Sequence, residues 1–265
     1  SLPAREIKIS RIALVETYFS DTDAGWTRYL FDTYHVPYTV MRPDEFEVAG
    51  IEDKYDVIIF PGTQKNLLMT GKPGNEGGAY MSNYHPDYQK GMGKKGLEKL
   101  LLFINNGGTV LSWGQSTDLF TGQLEMTING KTEEFSLPFS NTAEEARRDG
   151  LNIPGSLVRI VLREDHPLTY GMPSSTGVFY RGNPLFTTTV PRFDMDRRVI
   201  GNFPEKDILL SGYCEREELL ANQPAMLWLK KGKGQIVLYS FNPQFRASTQ
   251  AAYKLLFNAL FLPPV

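Results

Sequence analysis

Cysteine and histidine are scarce in this chain of 265 residues, which has one cysteine, Cys214, and three histidines. A single cysteine excludes an internal disulfide bond and a cysteine-rich zinc site. The histidines, His35, His85 and His166, have no His or Glu partner at the helical spacing of a metal-binding motif. We therefore expect no metal and no other cofactor in this chain, and capping or surface roles for the histidines.

Long apolar runs and an excess of charge of one sign are missing as well. The longest apolar stretch, residues 100–104, is far shorter than the roughly 18 residues of a membrane span. The 28 basic and 30 acidic residues give a net charge of −2, which argues against a dedicated nucleic-acid-binding face. We expect a globular protein without a membrane span and without a nucleic-acid partner.

The first part of the chain alternates between apolar runs and helical patterns. Residues 11–15, 38–41 and 57–60 are apolar runs that predict strands. Between the first two runs, Ser20 to Asp23 are N-cap residues, and Trp26, Tyr29, Leu30 and Tyr34 follow at helical spacing. Continuous apolar strands alternating with helices are typical of a parallel sheet covered on both faces.

A stretch without periodicity, residues 61–95, separates this part from a predicted helix at 97–104 and a predicted strand at 109–113. Loops of this length in a compact domain are usually functional or mobile. Tyrosine and methionine are enriched where proteins bind partners, so this stretch is a candidate binding surface. Its residues of this kind, with one histidine among them, are Tyr80, Met81, Tyr84, His85 and Tyr88.

The second part of the chain predicts a change of pattern and then a return to regular structure. Short runs broken by Pro and Gly, with a hairpin signal at Asn129-Gly130 and a strand at 157–162, indicate a β-rich insertion lying against the main sheet. Residues 225–229 and 235–241 predict a second hairpin, and 253–260 a final helix. We predict one three-layer α/β domain with a mostly parallel central sheet, its core at about 7–119 and 220–265 and its insertion at about 120–219.

A glycine motif at Gly91, Gly93 and Gly96 matches the spacing of dinucleotide-binding loops. That motif needs a strand directly before it, so that the turn directs backbone N–H groups at a pyrophosphate. Here the preceding residues lie in the aperiodic stretch. Nucleotide binding is not favoured.

The turn after the strand at 109–113 is the position where an α/β enzyme carries its nucleophile. Ser116 is a candidate nucleophile there and Gln115 a candidate oxyanion donor. The G-x-S-x-G pattern and a well-placed histidine are missing. A structural turn of small polar residues is the favoured interpretation, and a hydrolase that uses Ser116 is the alternative.

The order of elements, and the residues 107–111 that lead into this turn, resemble those of the class I glutamine amidotransferase-like proteins, which have a flavodoxin-like fold. That family has a nucleophilic cysteine after this strand and a His-Pro-Glu stretch after the last strand. In this chain Gly114 stands at the cysteine position, Asn242 at the histidine position and Gln244 at the glutamate position. The resemblance implies the fold without the amidotransferase chemistry, because a thiolate nucleophile and its base are absent.

A narrower resemblance is to the amidotransferase-like domain found C-terminal to zinc carboxypeptidases of the carboxypeptidase A type. It rests on residues 23–30, 37–39, 154–157, 166–173, 232–238, 241–246 and 255–260. It implies a secreted or periplasmic bacterial protein in which a peptidase domain of the same polypeptide precedes this chain and is its partner. The start without Met fits such a C-terminal part. The His-x-x-Glu motif of the peptidase is not in this chain, so the resemblance implies no peptidase activity here.

Polar and aromatic residues after two of the predicted strands should converge at the C-terminal edge of the sheet, where open α/β sheets bind ligands. These candidates are Trp113, Gln115, Ser116, Asn242, Gln244 and Arg246. Arg246 could hold a carboxylate with two hydrogen bonds. We therefore expect a non-catalytic accessory domain that positions the peptidase domain or binds a small ligand or partner. Besides the Ser116 hydrolase, a carbohydrate- or peptide-binding module is an alternative.

Overall fold

The computed structural model describes residues 9–19, 21–47, 50–74, 85–128 and 130–265. The helices are α1 (Thr22–Thr33), α2 (Ile51–Lys54), α3 (Lys65–Thr70), α4 (Gly93–Asn105), α5 (Ala143–Arg148) and α6 (Gln250–Leu260). The strands are β1 (Ile12–Val15), β2 (Thr39–Met41), β3 (Val57–Phe60), β4 (Thr109–Trp113), β5 (Leu124–Ile128), β6 (Lys131–Phe135), β7 (Phe139–Asn141), β8 (Ser156–Leu162), β9 (Ser175–Tyr180), β10 (Phe186–Thr188), β11 (Met195–Asn202), β12 (Leu209–Ser211), β13 (Pro224–Lys231) and β14 (Gly234–Tyr239).

Among the described residues, ten strands form one sheet in the order β12-β8-β11-β13-β14-β4-β3-β1-β2, with β9 beside β8. Strands β2, β1, β3, β4 and β14 are parallel to one another. Strands β13, β11, β8, β9 and β12 continue the sheet as antiparallel neighbours. The parallel strands are short apolar runs because both of their faces are buried.

Two hydrophobic clusters cover the two faces of the parallel strands. On β1, Ile12 and Leu14 pack into one cluster with α1 and α6, whereas Ala13 and Val15 pack into the other with α4. This alternation follows from the pleat of the strand. The three-layer α/β architecture predicted from the sequence is therefore confirmed.

The insertion differs from the prediction in one respect. Its strands β8, β9, β11 and β12 do not lie against the main sheet but extend it, since β11 pairs with β13 along nearly its whole length. Two small sheets, β5 with β6 and β7 with β10, lie outside the main sheet. The β5–β6 hairpin was predicted at Asn129-Gly130; Gly130 has the positive φ of such a turn (+77°), and Asn129 lies outside the described residues.

The stretch at 61–95 is also more regular than predicted, because it contains α3 and a 3-10 turn at Pro86–Tyr88. Two glycines of the G-x-G-x-x-G match lie where neighbouring segments come too close for a side chain. A Cβ on Gly91 would lie 2.3 Å from the Met69 carbonyl carbon, and one on Gly96 would lie 3.0 Å from Phe46. Of the predicted aromatic surface, Tyr80, Met81 and Tyr84 lie outside the described residues. Tyr88 is exposed.

Helix α1 begins where the sequence predicted, with Asp21 as its N-cap accepting a hydrogen bond from the Ala24 N–H; Ser20 of the predicted cap cluster lies outside the described residues. Its predicted apolar stripe is wrong in part, because Tyr29 and Tyr34 are exposed and Trp26 is half-buried. The buried residues of the helix are Ala24, Thr27, Leu30 and Phe31. No helix in the described parts of the chain has the length and apolar character needed to cross a bilayer.

Candidate functional site

A crevice of about 440 Å³ opens at the C-terminal edge of the parallel strands. It is lined by Asp21, Thr22, Asp23, Gly62, Thr63, Gly114, Gln115, Arg147, Arg181, Asn183, Asn242, Phe245 and Arg246. The segments that follow β1, β3, β4 and β14 supply most of these residues, and the insertion supplies Arg147, Arg181 and Asn183. The crevice thus lies where the topology of open α/β sheets places ligand sites.

The base of the crevice is organised around the carboxylate of Asp23. Its Oδ2 accepts hydrogen bonds from the Gly62 N–H at 3.2 Å, from Trp113 Nε1 at 3.1 Å and from Asn242 Nδ2 at 2.5 Å. These bonds join α1 to the ends of β3, β4 and β14. We call Asp23, Gly62, Trp113 and Asn242 the floor of the crevice.

Burial raises the pKa of the Asp23 carboxyl, and the hydrogen bonds from Trp113 and Gly62 and the charge of Arg181 partly offset that rise. A buried carboxylate needs several donors to compensate for lost hydration. Gly62 permits this arrangement, because a Cβ there would lie only 2.5 Å from Asp23 Oδ2. The floor is therefore a closed hydrogen-bonded unit in which glycine is required.

Three arginines surround the mouth of the crevice: Arg147 in α5, Arg181 just after β9 and Arg246 after β14. All three are exposed, and among the described residues none lies in a salt bridge, in contrast to Arg148, which pairs with Glu144 at 3.6 Å. Arg246 stacks over Phe245, 5.4 Å from the ring centroid. We call Arg147, Arg181 and Arg246 the rim of the crevice.

The backbone at Arg246 is held in an uncommon conformation. Arg246 has φ 46° and ψ 35°, and the next residue, Ala247, has φ 56°. Left-handed conformations of residues other than glycine cost about 1–2 kcal/mol each. Phe245 stacks on Phe179 with centroids 3.4 Å apart and planes inclined by 9°, which fixes the segment that carries Arg246. Such strain is concentrated at functional sites.

Asp21 lies beside the floor as the N-cap of α1. Its carboxylate accepts hydrogen bonds from the backbone N–H groups of Thr17 (3.1 Å) and Ala24 (3.2 Å). Burial raises the pKa of Asp21 to about 6, the two backbone donors oppose the rise, and the charges of Asp23 and Glu16 add to it. We therefore expect the charge of Asp21 to change in the mildly acidic range.

Several solved structures resemble this one along almost the whole chain. A putative GMP synthase protein from Thermoplasma acidophilum has a TM-score of 0.52 at 10% identity, covering 97% of this chain and 94% of that one. A cytoplasmic protein from Salmonella typhimurium has a TM-score of 0.50 at 13% identity, covering 96% and 99%. The fold is glutamine amidotransferase-like. No protein-family model and no curated protein matches the sequence.

The same fold also occurs as part of a larger protein. A β-galactosidase from Bacillus circulans sp. alkalophilus matches 95% of this chain with a TM-score of 0.50 at 13% identity, but the match spans only 30% of the β-galactosidase. At this level of identity the likeness concerns the fold alone.

Of the three positions that the sequence resemblance aligns with catalytic residues, Gly114 and Asn242 line the crevice and Gln244 is buried behind it. Gly114 has φ +58° at the end of β4, so the sharp turn that would present a nucleophile is kept without a side chain. Asn242 donates to Asp23 Oδ2. Gln244 is buried, and its Nε2 donates to the Asp23 carbonyl and to Thr27 Oγ1, both at 3.3 Å. Asn242 and Gln244 thus hold Asp23 and the start of α1.

Ser116 is completely buried. Its hydroxyl accepts a hydrogen bond from the Thr63 N–H at 2.9 Å and donates to the Pro61 carbonyl. No histidine in the described parts of the chain hydrogen-bonds to it. These contacts tie the turn after β4 to the segment after β3, and they do not favour Ser116 as a nucleophile.

The structure brings together part of the predicted ligand-binding set. Gln115, Asn242 and Arg246 line the crevice, whereas Trp113, Ser116 and Gln244 are buried behind it. Sequence reasoning missed the rim arginines of the insertion and the role of Asp23. Asp23 lies in a run of N-cap residues in the sequence. Nothing in that run indicates that its carboxylate accepts hydrogen bonds from residues at the ends of three strands.

The histidines and the cysteine lie apart from the crevice. His85 and His166 each accept a hydrogen bond from a backbone N–H two residues later, as turn caps. Burial and nearby glutamates raise the pKa of the Cys214 thiol to about 11, so it is not a reactive thiolate. In the described ranges no cluster of His, Cys, Asp and Glu could hold a metal ion.

Proposed function

We propose that this chain is a non-catalytic, amidotransferase-like accessory domain that binds a small polar ligand in the crevice. The observation that carries this proposal is the Asp23 carboxylate, which engages Asn242 and the Gly62 N–H in the floor. An N–H from the loop after the third strand is the kind of donor that an acyl-transfer enzyme uses for its oxyanion. Here that donor is occupied by a carboxylate of the chain itself.

The second support is the missing nucleophile. Gly114 has no side chain at the turn, and the hydroxyl of Ser116, two residues later, is buried and bonded to backbone groups. A crevice of this volume with polar side chains around its mouth remains, and that is the size range of small-molecule sites. Binding without turnover is the function that fits these features best.

An ammonia-coupled glutaminase assay tests the non-catalytic part of the proposal. We expect no ammonia release from glutamine above the buffer rate. The Ser116→Ala variant, with Ser248→Ala as a matched control on an exposed serine, identifies the source of any turnover. Turnover that disappears in Ser116→Ala and persists in Ser248→Ala would contradict the proposal and favour the hydrolase.

We also propose, from the sequence resemblance alone, that the domain is the C-terminal part of a zinc carboxypeptidase-type protein of bacteria. On this proposal the partner is the N-terminal peptidase domain of the same polypeptide, and the protein is secreted or periplasmic. The reading frame upstream of this chain decides the matter. An encoded peptidase domain with its His-x-x-Glu motif is expected, and an upstream stop codon followed by this domain alone would contradict it.

A further inference from the structure

We infer that the crevice binds a small organic anion, a carboxylate or phosphate ester on a polar body of about sugar size, through Arg147, Arg181 and Arg246. This inference rests on the proposed binding function and specifies its ligand class. Arginine suits both anions, because its planar fork of donors matches their oxygen pairs.

The distribution of charge in the crevice supports an anion. Both carboxylate oxygens of Asp21 accept hydrogen bonds from Thr17 and Ala24, and Oδ2 of Asp23 accepts three from the other floor residues. The three guanidinium groups of the rim lie in no salt bridge of the described chain. The groups still available to a ligand are therefore mainly cationic donors.

The origin of the arginines supports a shared ligand. Arg147 lies in the last turn of α5, Arg181 follows β9, and Arg246 follows β14. Three like charges that line one crevice repel one another, and an anion bound among them would relieve that repulsion. The strained backbone at Arg246 and Ala247 is a separate indication of function, because this conformation costs stability and places the Arg246 charge at the crevice.

Uncharged groups provide contacts for the rest of the ligand. Asn183 lines the crevice and accepts a hydrogen bond from Asn141 Nδ2 at 3.0 Å, and its own NH₂ group has no hydrogen bond to another described residue. Gln115 is exposed at the mouth, and its side-chain amide provides a further donor and acceptor. Amide donors and acceptors are suited to hydroxyl groups.

Calorimetric titration with matched probes tests the inference. Glucuronate, glucose 6-phosphate and glucose share one ring and differ in their anionic group, and inorganic phosphate tests for binding of an anion without a body. We expect glucuronate or glucose 6-phosphate to bind at least about tenfold more tightly than glucose, because hydrogen bonds to a charged group are the strong ones. Which of the two binds more tightly distinguishes a carboxylate from a phosphate.

The variants Arg147→Gln and Arg181→Gln should each weaken binding of the preferred anionic probe by about tenfold. The matched control is Arg148→Gln on the same helix, which should bind as the parent does. All three positions are exposed, so the unfolding midpoints should stay unchanged.

The outcomes separate this inference from the proposed function. Glucose binding as tightly as the anions, or full affinity in Arg147→Gln and Arg181→Gln, would overturn the anion inference and leave the binding function standing. Binding of inorganic phosphate as tight as that of the sugar anions would overturn the sugar-sized body. No measurable binding of any probe would overturn both.

Discussion

The floor and the rim of the crevice use polar side chains in opposite ways. In the floor, one carboxylate oxygen accepts three hydrogen bonds, and its donors come from the ends of three parallel strands. At the rim, Arg147, Arg181 and Arg246 are exposed and lie in no salt bridge of the described chain. Satisfied buried polar groups fix a structure, whereas unpaired charges at a cleft are available for ligands. The floor therefore stabilises the fold, and the rim is the part of the crevice that we propose to bind the ligand.

The two regions also have different origins in the chain. The floor is built from α1 and the ends of the parallel strands. Two of the three rim arginines, and Asn183, come from the insertion. Function commonly changes through loops and insertions on a constant scaffold. On our proposal, the residues that the insertion contributes to the crevice determine which ligand is bound.

Replacing Trp113 gives the largest expected loss on the floor side. Trp113 is completely buried at the end of β4 and donates to Asp23. Trp113→Ala should lower the free energy of unfolding by about 3–5 kcal/mol, because it opens a cavity and removes a hydrogen bond. Urea unfolding measures the loss. Trp26→Ala is the control, since Trp26 is half-buried and contacts Tyr29 edge-on. Equal losses of stability in the two variants would contradict a particular contribution of Trp113 to the floor.

Replacing Asp23 should have the next largest effect. Asp23→Ala leaves Trp113 Nε1 and the Gly62 N–H without their acceptor, and each unsatisfied buried donor costs about 1–3 kcal/mol. We expect a loss of about 2–4 kcal/mol in the free energy of unfolding, measured by urea denaturation. Asp32→Ala, on the exposed side of the same helix and bonded to the Tyr38 hydroxyl at 2.9 Å, should cost less than about 1 kcal/mol. A floor variant as stable as this control would mean that the network contributes nothing.

The pH dependence of Asp21 should give a smaller effect. Its pKa rises from an ordinary value of 3.8 to about 6 in the folded chain, because burial disfavours the charged form. Between these values the folded chain binds more protons than the unfolded chain, so this group's contribution to stability falls as pH rises from about 4 to about 6.

The measurement is urea unfolding of the parent and of Asp21→Asn at about pH 4 and about pH 8. Asn is also a good N-cap residue, so the helix should keep its start. Relative to the variant, the parent should lose about 1–3 kcal/mol between the two pH values. A stability difference between parent and variant that is the same at both pH values, or that shifts in favour of the parent at about pH 8, would show that Asp21 is not the titrating group.

The sequence predicted the central sheet well because its strands carry their own signal. Continuous apolar runs at β1, β3 and β4 indicate burial on both faces, whatever their neighbours are. The buried face of α1 was harder to predict, since Tyr29 and Tyr34 look apolar but lie outward, and Thr27 is buried and receives a hydrogen bond from Gln244. The amphipathic character of tyrosine makes such an error natural.

The crevice could be predicted only in part. Asn242 and Arg246 follow a strong strand, so their place at the sheet edge followed from topology. Asp23 and Asn242 are separated by 219 positions, and no local pattern reveals that their side chains meet. Arg147 and Arg181 belong to an insertion whose path depends on the pairing of β8, β9 and β11, and periodicity does not determine which strands pair.

A crystal structure of the protein soaked or grown with glucuronate tests the central claim most directly, because it shows floor and rim at once. The account predicts the ligand carboxylate within hydrogen-bond distance of at least two guanidinium groups among Arg147, Arg181 and Arg246. It also predicts that Asp23 keeps its bonds to Trp113, Gly62 and Asn242. A carboxylate bound elsewhere, or a ligand that displaces Asn242 from Asp23 and reaches the Gly62 N–H, would contradict the division between a structural floor and a binding rim.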